Sequence, residues 1–428
     1  MSYLWIKLAA ARRPDATAVE APERSLTYRQ LWEEALGASL TLREMGVQAG
    51  SRVALALPPG PDYLVALHGC LAAGAAAVPI DLRLSEEERR QRLAGAGVVV
   101  SEPLARGSGR WTVSDPDADR PLAVMHTSGT TAAPKPVVLR YSNWLASALG
   151  SAVALGLDPQ ERWLCPMPLT HVGGLSIAIR SAIYATTAVL HPRFDTEAVL
   201  NELMDPRRRI TLVSLVPTML GRLLDAGLER PPTLRWALLG GGPIAPALLE
   251  RARAAGVPVA PTYGMTEACS QIATFGFPLP GVELRTDNGE VLVRGAIVAR
   301  EALSTDGWLH TGDLGELEDG RLVITGRLSD TIITGGENVS PVEVEAVLLE
   351  HPAVADAAVT ARADPEWGEA LVALVVPRER AGLEPAELRA FCAARLAPFK
   401  VPKAIELAEQ LPRTASGKLL RRQLKGLV

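Results

Sequence analysis

A chain of 428 residues, 48% hydrophobic and 21% charged, is long enough for a large core and for more than one domain, and its composition excludes a disordered or fibrous protein. A net charge of −4 leaves no basic surplus for nucleic acid, and four dispersed cysteines and six scattered histidines show neither a disulfide framework nor metal-ligand spacing. The most apolar run, 64–80, contains His68, two glycines and Pro79, so no stable membrane insertion is expected.

The first residues, Met1–Lys7, lack the basic head and apolar core of a signal peptide, and a cytoplasmic location is expected. From there to about residue 280 helical and strand-like segments alternate. Residues 26–45 have helical spacing of apolar positions, 52–57 a short buried strand, 63–74 an alanine-rich helix and 76–80 another strand. Residues 195–205, 210–216 and 235–239 continue the alternation, the pattern of layered α/β sheets. Beyond residue 280 the texture changes. Asn288-Gly289 and Asp319-Gly320 predict hairpin turns of a small β subdomain. A compact α+β unit follows, with a helix near 341–350, strands near 354–360 and 370–376, and a helix over about 385–396. The predicted fold is α/β: a large N-terminal domain of layered sheets plus the β subdomain (1–327), then a small mobile α+β domain (328–428).

The most informative stretch is 125–136. Thr127, Ser128, Gly129, Thr130 and Thr131 offer donors in a row, glycine permits close approach of the backbone to an anion, and Lys135 adds a mobile positive charge. The preceding apolar run, 122–125, predicts a strand, which places the loop at a carboxyl end, where open α/β sheets bind ligands. It is not a Walker A loop, because the second glycine and the hydroxyl residue after the lysine are absent. Lysine is rare here, occurring only at 7, 135, 400, 403, 418 and 425 among 44 basic residues. A lysine in such a loop is therefore pointed: ammonium is a compact charge on a flexible stem. Four more segments carry chemistry. Leu239-Gly-Gly-Gly-Pro243 lets a flat ring lie against backbone. Thr262–Glu267 puts an aromatic face, a hydroxyl and a carboxylate in one predicted loop. Trp308–Asp313 offers a carboxylate at a predicted strand end, and Leu411–Lys418 a lysine on a loop bounded by proline and glycine. Alone, each has a plainer reading as surface loop, tight turn or solvated tail.

Together, and in this order, these motifs resemble the adenylate-forming superfamily of acyl-CoA synthetases, luciferases and peptide-synthetase adenylation domains. The resemblance spans residues 26–418, with 326–345 its most diagnostic stretch. It implies ATP, Mg²⁺ and CoA as reactants and cofactor. Thr127–Thr131 and Lys135 would cradle the β- and γ-phosphates, Gly241 and Tyr263 bracket adenine, Thr266 meet the α-phosphate and Glu267 the Mg²⁺. Asp313 and Arg327 would hold the ribose, Lys418 the α-phosphate and the attacking carboxylate. Ser329 falls at the pivot between the two domains, where many relatives have Asp or Lys, and Gly335-Gly336 would face the pantetheine arm of CoA. Ala132 and Pro136 stand where the loop usually has glycine, which stiffens it.

The segment 166–176 lacks the aspartate with which amino-acid-activating relatives bind an α-ammonium, so an amino-acid substrate is disfavoured. Segments 174–184 and 263–274 resemble the o-succinylbenzoate–CoA ligases of menaquinone biosynthesis. That resemblance implies an acyl pocket lined by His171, Gly240, Gly264, Ser270, Gln271 and Thr274, with Arg180 pairing the carboxylate that is not activated. His171 alternatively packs as a satisfied buried histidine, and Arg180 as an internally paired charge. Two rival readings are an aryl- or fatty-acyl-CoA ligase of other specificity and a non-catalytic nucleotide-binding protein, the latter suggested only by Ala132 and Pro136. The expected partners are small molecules, and a homodimer is left open.

Overall fold

The computed structural model describes residues 3–105, 107, 113–127, 135–365, 367–378, 382–413, 419–424 and 426–428. Two sheets dominate the N-terminal part. One has five strands, in the order Val98–Val100, Arg52–Leu55, Ala76–Pro79, Pro121–Thr127 and Lys135–Arg140. All its pairings are parallel except the last. The other has nine strands, in the order Phe277–Pro278, Ser270–Thr274, Val259–Met265, Trp236–Leu239, Leu212–Leu215, Arg162–Cys165, Thr187–Leu190, Thr17–Glu20 and Ser25–Thr27. Its centre is parallel and its two margins antiparallel. Helices cover these sheets, as buried parallel strands require.

Local sequence explains the elements that frame this core. Thr27 and Gln30 form a reciprocal capping box that starts the helix Tyr28–Glu44, satisfying two otherwise orphaned N–H groups. The apolar run 64–80 is a helix, Pro61–Ala72, followed by the wholly buried strand Ala76–Pro79. Among the described residues no helix is long and apolar enough to cross a membrane. Trp144, Trp163, Tyr28, Tyr63 and Tyr141 are wholly buried between the layers.

A four-stranded antiparallel meander follows: Val282–Asp287, Glu290–Gly295, Leu309–Glu318 and Arg321–Arg327. Both predicted hairpin turns are present. Asn288 and Gly289 have φ of 49° and 81°, and Asp319 and Gly320 50° and 77°, the left-handed pair that a two-residue hairpin turn needs. A turn at Leu328–Asp330 leads into the last sheet, in which Glu337–Val339, Ile332–Thr334, Gly368–Pro377 and Val354–Asp364 are joined by Ala404–Leu407. The helices Pro341–Leu349 and Pro385–Ala393 pack on it, around a core of its own that includes Val344, Leu348, Leu371, Val375 and Leu388.

Two segments differ from the sequence-based expectation. Thr262–Met265 belongs to a strand, not a loop, because Thr262 and Tyr263 pair with Thr274 and Ala273 across an antiparallel ladder. Asp313 is inside a ten-residue strand, not at its end. Gly312 at φ 70° and a register shift at Leu314/Gly315 let that strand bend and continue. Pro136 also finds a ready place. It lies on Lys135–Arg140, the edge strand of its sheet, where a missing N–H leaves no ladder bond unmade.

Candidate active site

The predicted phosphate loop joins two antiparallel strands, Pro121–Thr127 and Lys135–Arg140, whose last and first residues pair directly. The Thr127 hydroxyl reaches the Lys135 carbonyl at 3.5 Å. Ser128, Gly129, Thr130, Thr131 and Ala132 lie outside the described residues, as does Lys418. The strand Lys135–Arg140 packs against the turn Thr266–Ala268 and against Arg300–Ala302. Lys135 and the hydroxyl and carboxylate of Thr266 and Glu267 thus belong to adjoining segments.

Tyr263, Asp313 and Arg327 come from three strands and meet. The Tyr263 hydroxyl donates to Asp313 Oδ2 at 2.8 Å, and Arg327 Nε lies 3.1 Å from Asp313 Oδ1. Arg327 stands directly opposite Asp313 in the ladder. Burial first, and the Asp313 charge second, push the Tyr263 phenol far above its ordinary pKa, so it remains a donor. The Asp313 N–H donates to Thr311 Oγ1 at 3.0 Å, and that hydroxyl donates to Val291 O at 2.7 Å. Thr311 was not singled out from sequence. Its role is a local backbone tie that a Thr-Gly-Asp string does not advertise.

Glycines shape the neighbouring wall. A Cβ on Gly240 would lie 2.7 Å from Thr262 Cγ2, and one on Gly264 would lie 1.7 Å from the Ser270 carbonyl oxygen. Gly241 has φ +79°. On the same strand pair, Gln271 Nε2 donates to Thr274 Oγ1 at 2.8 Å, and Thr274 Oγ1 lies 3.2 Å from Thr262 Oγ1. Gln271 Oε1 is buried and has no hydrogen-bond partner among the described residues. His171 precedes the helix Val172–Tyr184. Its surface is open to solvent although protein surrounds much of the ring, and that surrounding lowers its pKa, with Asp81 opposing. His171 is therefore solvent-exposed and not packed in the core.

Arg180 is a buried charge on the helix Val172–Tyr184. It is 1% exposed, its Nη2 donates to Ser147 Oγ at 2.8 Å, and its guanidinium stands 5.8 Å from the Trp163 ring. Nε and Nη1 are shielded from solvent and have no partner among the described residues, and desolvation lowers its pKa.

Glu267 is half-buried on its three-residue turn and makes no ion pair among the described residues. Such a carboxylate fits a Mg²⁺ ion held mainly by phosphates and water. No cluster of three or more His, Cys, Asp or Glu gathers to hold a metal among the described residues. In the last sheet, Gly335 and Gly336 form the turn between Ile332–Thr334 and Glu337–Val339, with φ of 57° and 84°. A Cβ on Gly335 would touch the Trp367 ring at 2.8 Å. Ser329 is in the connecting turn, its hydroxyl 3.0 Å from Asp330 Oδ1.

Two family models match the chain: AMP-binding enzyme over residues 6–102 and 101–303, and AMP-binding enzyme C-terminal domain over 343–418. A 2–succinylbenzoate–CoA ligase of Bacillus cereus is 38% identical, the match covering 99% of this chain and 98% of that one. The o-succinylbenzoate CoA synthetase of Bacillus subtilis, in complex with its acyl-adenylate intermediate, is 35% identical with a TM-score of 0.92, covering 99% of this chain and 98% of that one. The same enzyme with ATP and magnesium ion gives 35% and 0.91, over 98% and 99% of the two chains. A double mutant of it, bound with a product analogue, gives 35% but only 0.71, over 99% and 98%.

Proposed function

The chain belongs to the AMP-binding enzyme family, and from that footing we propose that it is an ATP-dependent 2-succinylbenzoate–CoA ligase acting through an acyl-adenylate. The observation that carries this reading is the Tyr263–Asp313–Arg327 cluster. It presents a half-buried carboxylate, braced from both sides, with Tyr263 on the strand next to the glycine segment at 240–241. Asp313 accepts the two ribose hydroxyls there, while the ring of the base lies between Gly241 and Tyr263.

A carboxylate is a poor electrophile, and joining it to AMP requires an anion to approach a polyanion. Positioned charge is therefore the main catalytic resource. The 2-succinylbenzoate carboxylate attacks the α-phosphorus and pyrophosphate leaves. Lys418 bridges the attacking oxygen and the α-phosphate, Thr266 donates to the same phosphate, and Lys135 with Thr127–Thr131 holds the departing pair. Glu267 would hold Mg²⁺, which supplies charge neutralisation across the phosphates. No general base is needed, because the acid is already ionised. In the second step the CoA thiol attacks the acyl carbonyl and AMP leaves. We assign residues 328–428 to a domain that turns about Ser329, withdraws Lys418 and presents Gly335-Gly336 to the pantetheine arm.

For the acid we propose a pocket formed by His171, Gly240, Gly264, Ser270, Gln271 and Thr274. Gln271 Oε1 and the Thr274 hydroxyl supply polar contacts. Arg180 contributes positive potential from behind this wall, where its charge has no carboxylate of its own among the described residues. The setting is the cytoplasm, supported by four buried, unpaired cysteines, as a reducing compartment leaves them. A homodimer is compatible with the fold, and light scattering decides it. The enzymatic reading is tested by pyrophosphate exchange that depends on added acid, which a nucleotide-binding protein without catalysis does not give. The substrate is tested by CoA-ester formation from 2-succinylbenzoate against benzoate and medium-chain acids. Preference for a monoacid would remove the substrate assignment and leave the ligase class standing.

A further inference from the structure

We propose that the helix Tyr141–Leu155 fixes the Glu267 carboxylate relative to the phosphate-binding strand, with Asn143 and Ser147 as positioning residues. This rests on the reading of Glu267 as the Mg²⁺ ligand.

The turn that carries Glu267 needs holding. Immediately after Thr266–Ala268, Cys269 and Ser270 have φ of 51° and 90°, and neither is glycine. Consecutive left-handed residues of this kind persist only where their surroundings over-determine them. Two sets of contacts do so, and both originate on one helix. Ser147 Oγ donates to the Cys269 carbonyl at 2.7 Å in a fully buried bond. That hydroxyl accepts from Arg180 Nη2 at 2.8 Å, which leaves its single proton free for the carbonyl. Asn143, one turn earlier on the same face, is 5% exposed. Its amide nitrogen donates to Ala296 O at 2.8 Å and Val298 O at 3.0 Å. The next residue, Ala299, donates its N–H to the Glu267 carbonyl at 2.8 Å.

The same asparagine reaches the phosphate side. Its Oδ1 accepts from the Arg140 N–H at 2.8 Å, and Arg140 is the last residue of the strand that begins at Lys135. Both amide protons and an oxygen lone pair are thus engaged, one group per neighbour. A parallel tie closes the frame, since Arg140 Nη1 donates to Glu301 Oε2 at 2.9 Å. The backbone that carries Glu267 and the lysine strand are therefore registered to each other through three backbone segments and one side-chain amide.

The test is calorimetric titration of the full-length protein with ATP plus Mg²⁺, with ATP plus EDTA and with AMP, for Asn143→Ala, Ser147→Ala and Glu267→Gln. Loss of a group that orients a metal ligand commonly weakens metal affinity by about 10–100-fold. Asn143→Ala is expected to raise the Mg²⁺ concentration needed for tight ATP binding about tenfold while leaving the AMP affinity unchanged. Ser147→Ala should shift it in the same direction by less, and it keeps the test decisive if the asparagine variant does not fold. The proposal is overturned if AMP and magnesium–ATP weaken by the same factor. It is also overturned if both variants keep the wild-type Mg²⁺ dependence while Glu267→Gln loses it. Should Glu267→Gln itself leave that dependence unaltered, the metal-ligand reading fails, and the proposal with it.

Discussion

Fifty residues separate Tyr263 from Asp313, and a 2.8 Å hydrogen bond joins them. Tyr263→Phe keeps the ring face and removes only the donor. A hydrogen bond to a charged acceptor contributes about 1.5–3 kcal/mol, but Arg327 still holds Asp313 in place. The expected outcome is a rise of about three- to tenfold in KM for ATP, roughly 1 kcal/mol, with kcat little changed in steady-state kinetics. A second prediction at this scale concerns two histidines. Burial lowers His68 to about 3 and His126 to about 4 from the ordinary 6.5. In the native state both are neutral where the unfolded chain already binds protons, so stability falls as pH drops below about 6.5 and levels off only below the folded values. Urea midpoints measured between pH 7.5 and 4 should decline over that window, and His126→Asn should flatten part of the decline.

At the scale of elements, the strand pair Val259–Met265 and Ser270–Thr274 joins fold to site. Gly264 lets the two backbones close on each other, and a methyl group there would meet the Ser270 oxygen at 1.7 Å. Overpacking of this kind costs about 1–3 kcal/mol. Gly264→Ala should lower the melting temperature and raise KM for the acid, because Gln271 and Thr274 shift with their strand. The elements themselves were largely legible. Buried apolar runs gave the parallel strands, and Asn288-Gly289 and Asp319-Gly320 gave the hairpins, since few other residue pairs adopt two left-handed conformations in succession. The strand character of Thr262–Met265 was not legible, because a polar strand lining a cleft has no apolar face to alternate. Asn143 and Ser147 escaped notice for a related reason. Asparagine and serine on a helix look like surface residues, and their partners are backbone carbonyls more than 120 residues away. The depth of Arg180 was equally hidden, since a charge in an apolar run signals a buried partner without saying whether that partner is substrate or protein.

At the scale of the whole molecule, exposed contacts span the connecting turn. Ser340 Oγ donates to Thr325 O at 2.7 Å beside the connecting turn, and Arg378 approaches Asp225 at only 3.9 Å, both side chains well exposed. An exposed pair at that distance contributes little, so it presents no obstacle to rotation. Lys418→Ala should reduce adenylate formation by roughly 10²–10³ yet spare thioester formation from supplied acyl-adenylate. Ser329→Pro, which narrows the backbone torsion at the pivot, should do the reverse. Single-turnover assays of each half-reaction check both, and equal loss of the two in either variant would refute the division of labour.

Among the described residues, the hydrophobic cluster around Val344, Leu371 and Leu388 includes none from before 332. A lobe that buries its own oil can melt on its own schedule. Differential scanning calorimetry should then resolve two endotherms, with AMP raising chiefly the one that belongs to the larger lobe. Proteases would find their opening cut in the strand-to-turn connection at 327–331, releasing a fragment of about a hundred residues that stays folded.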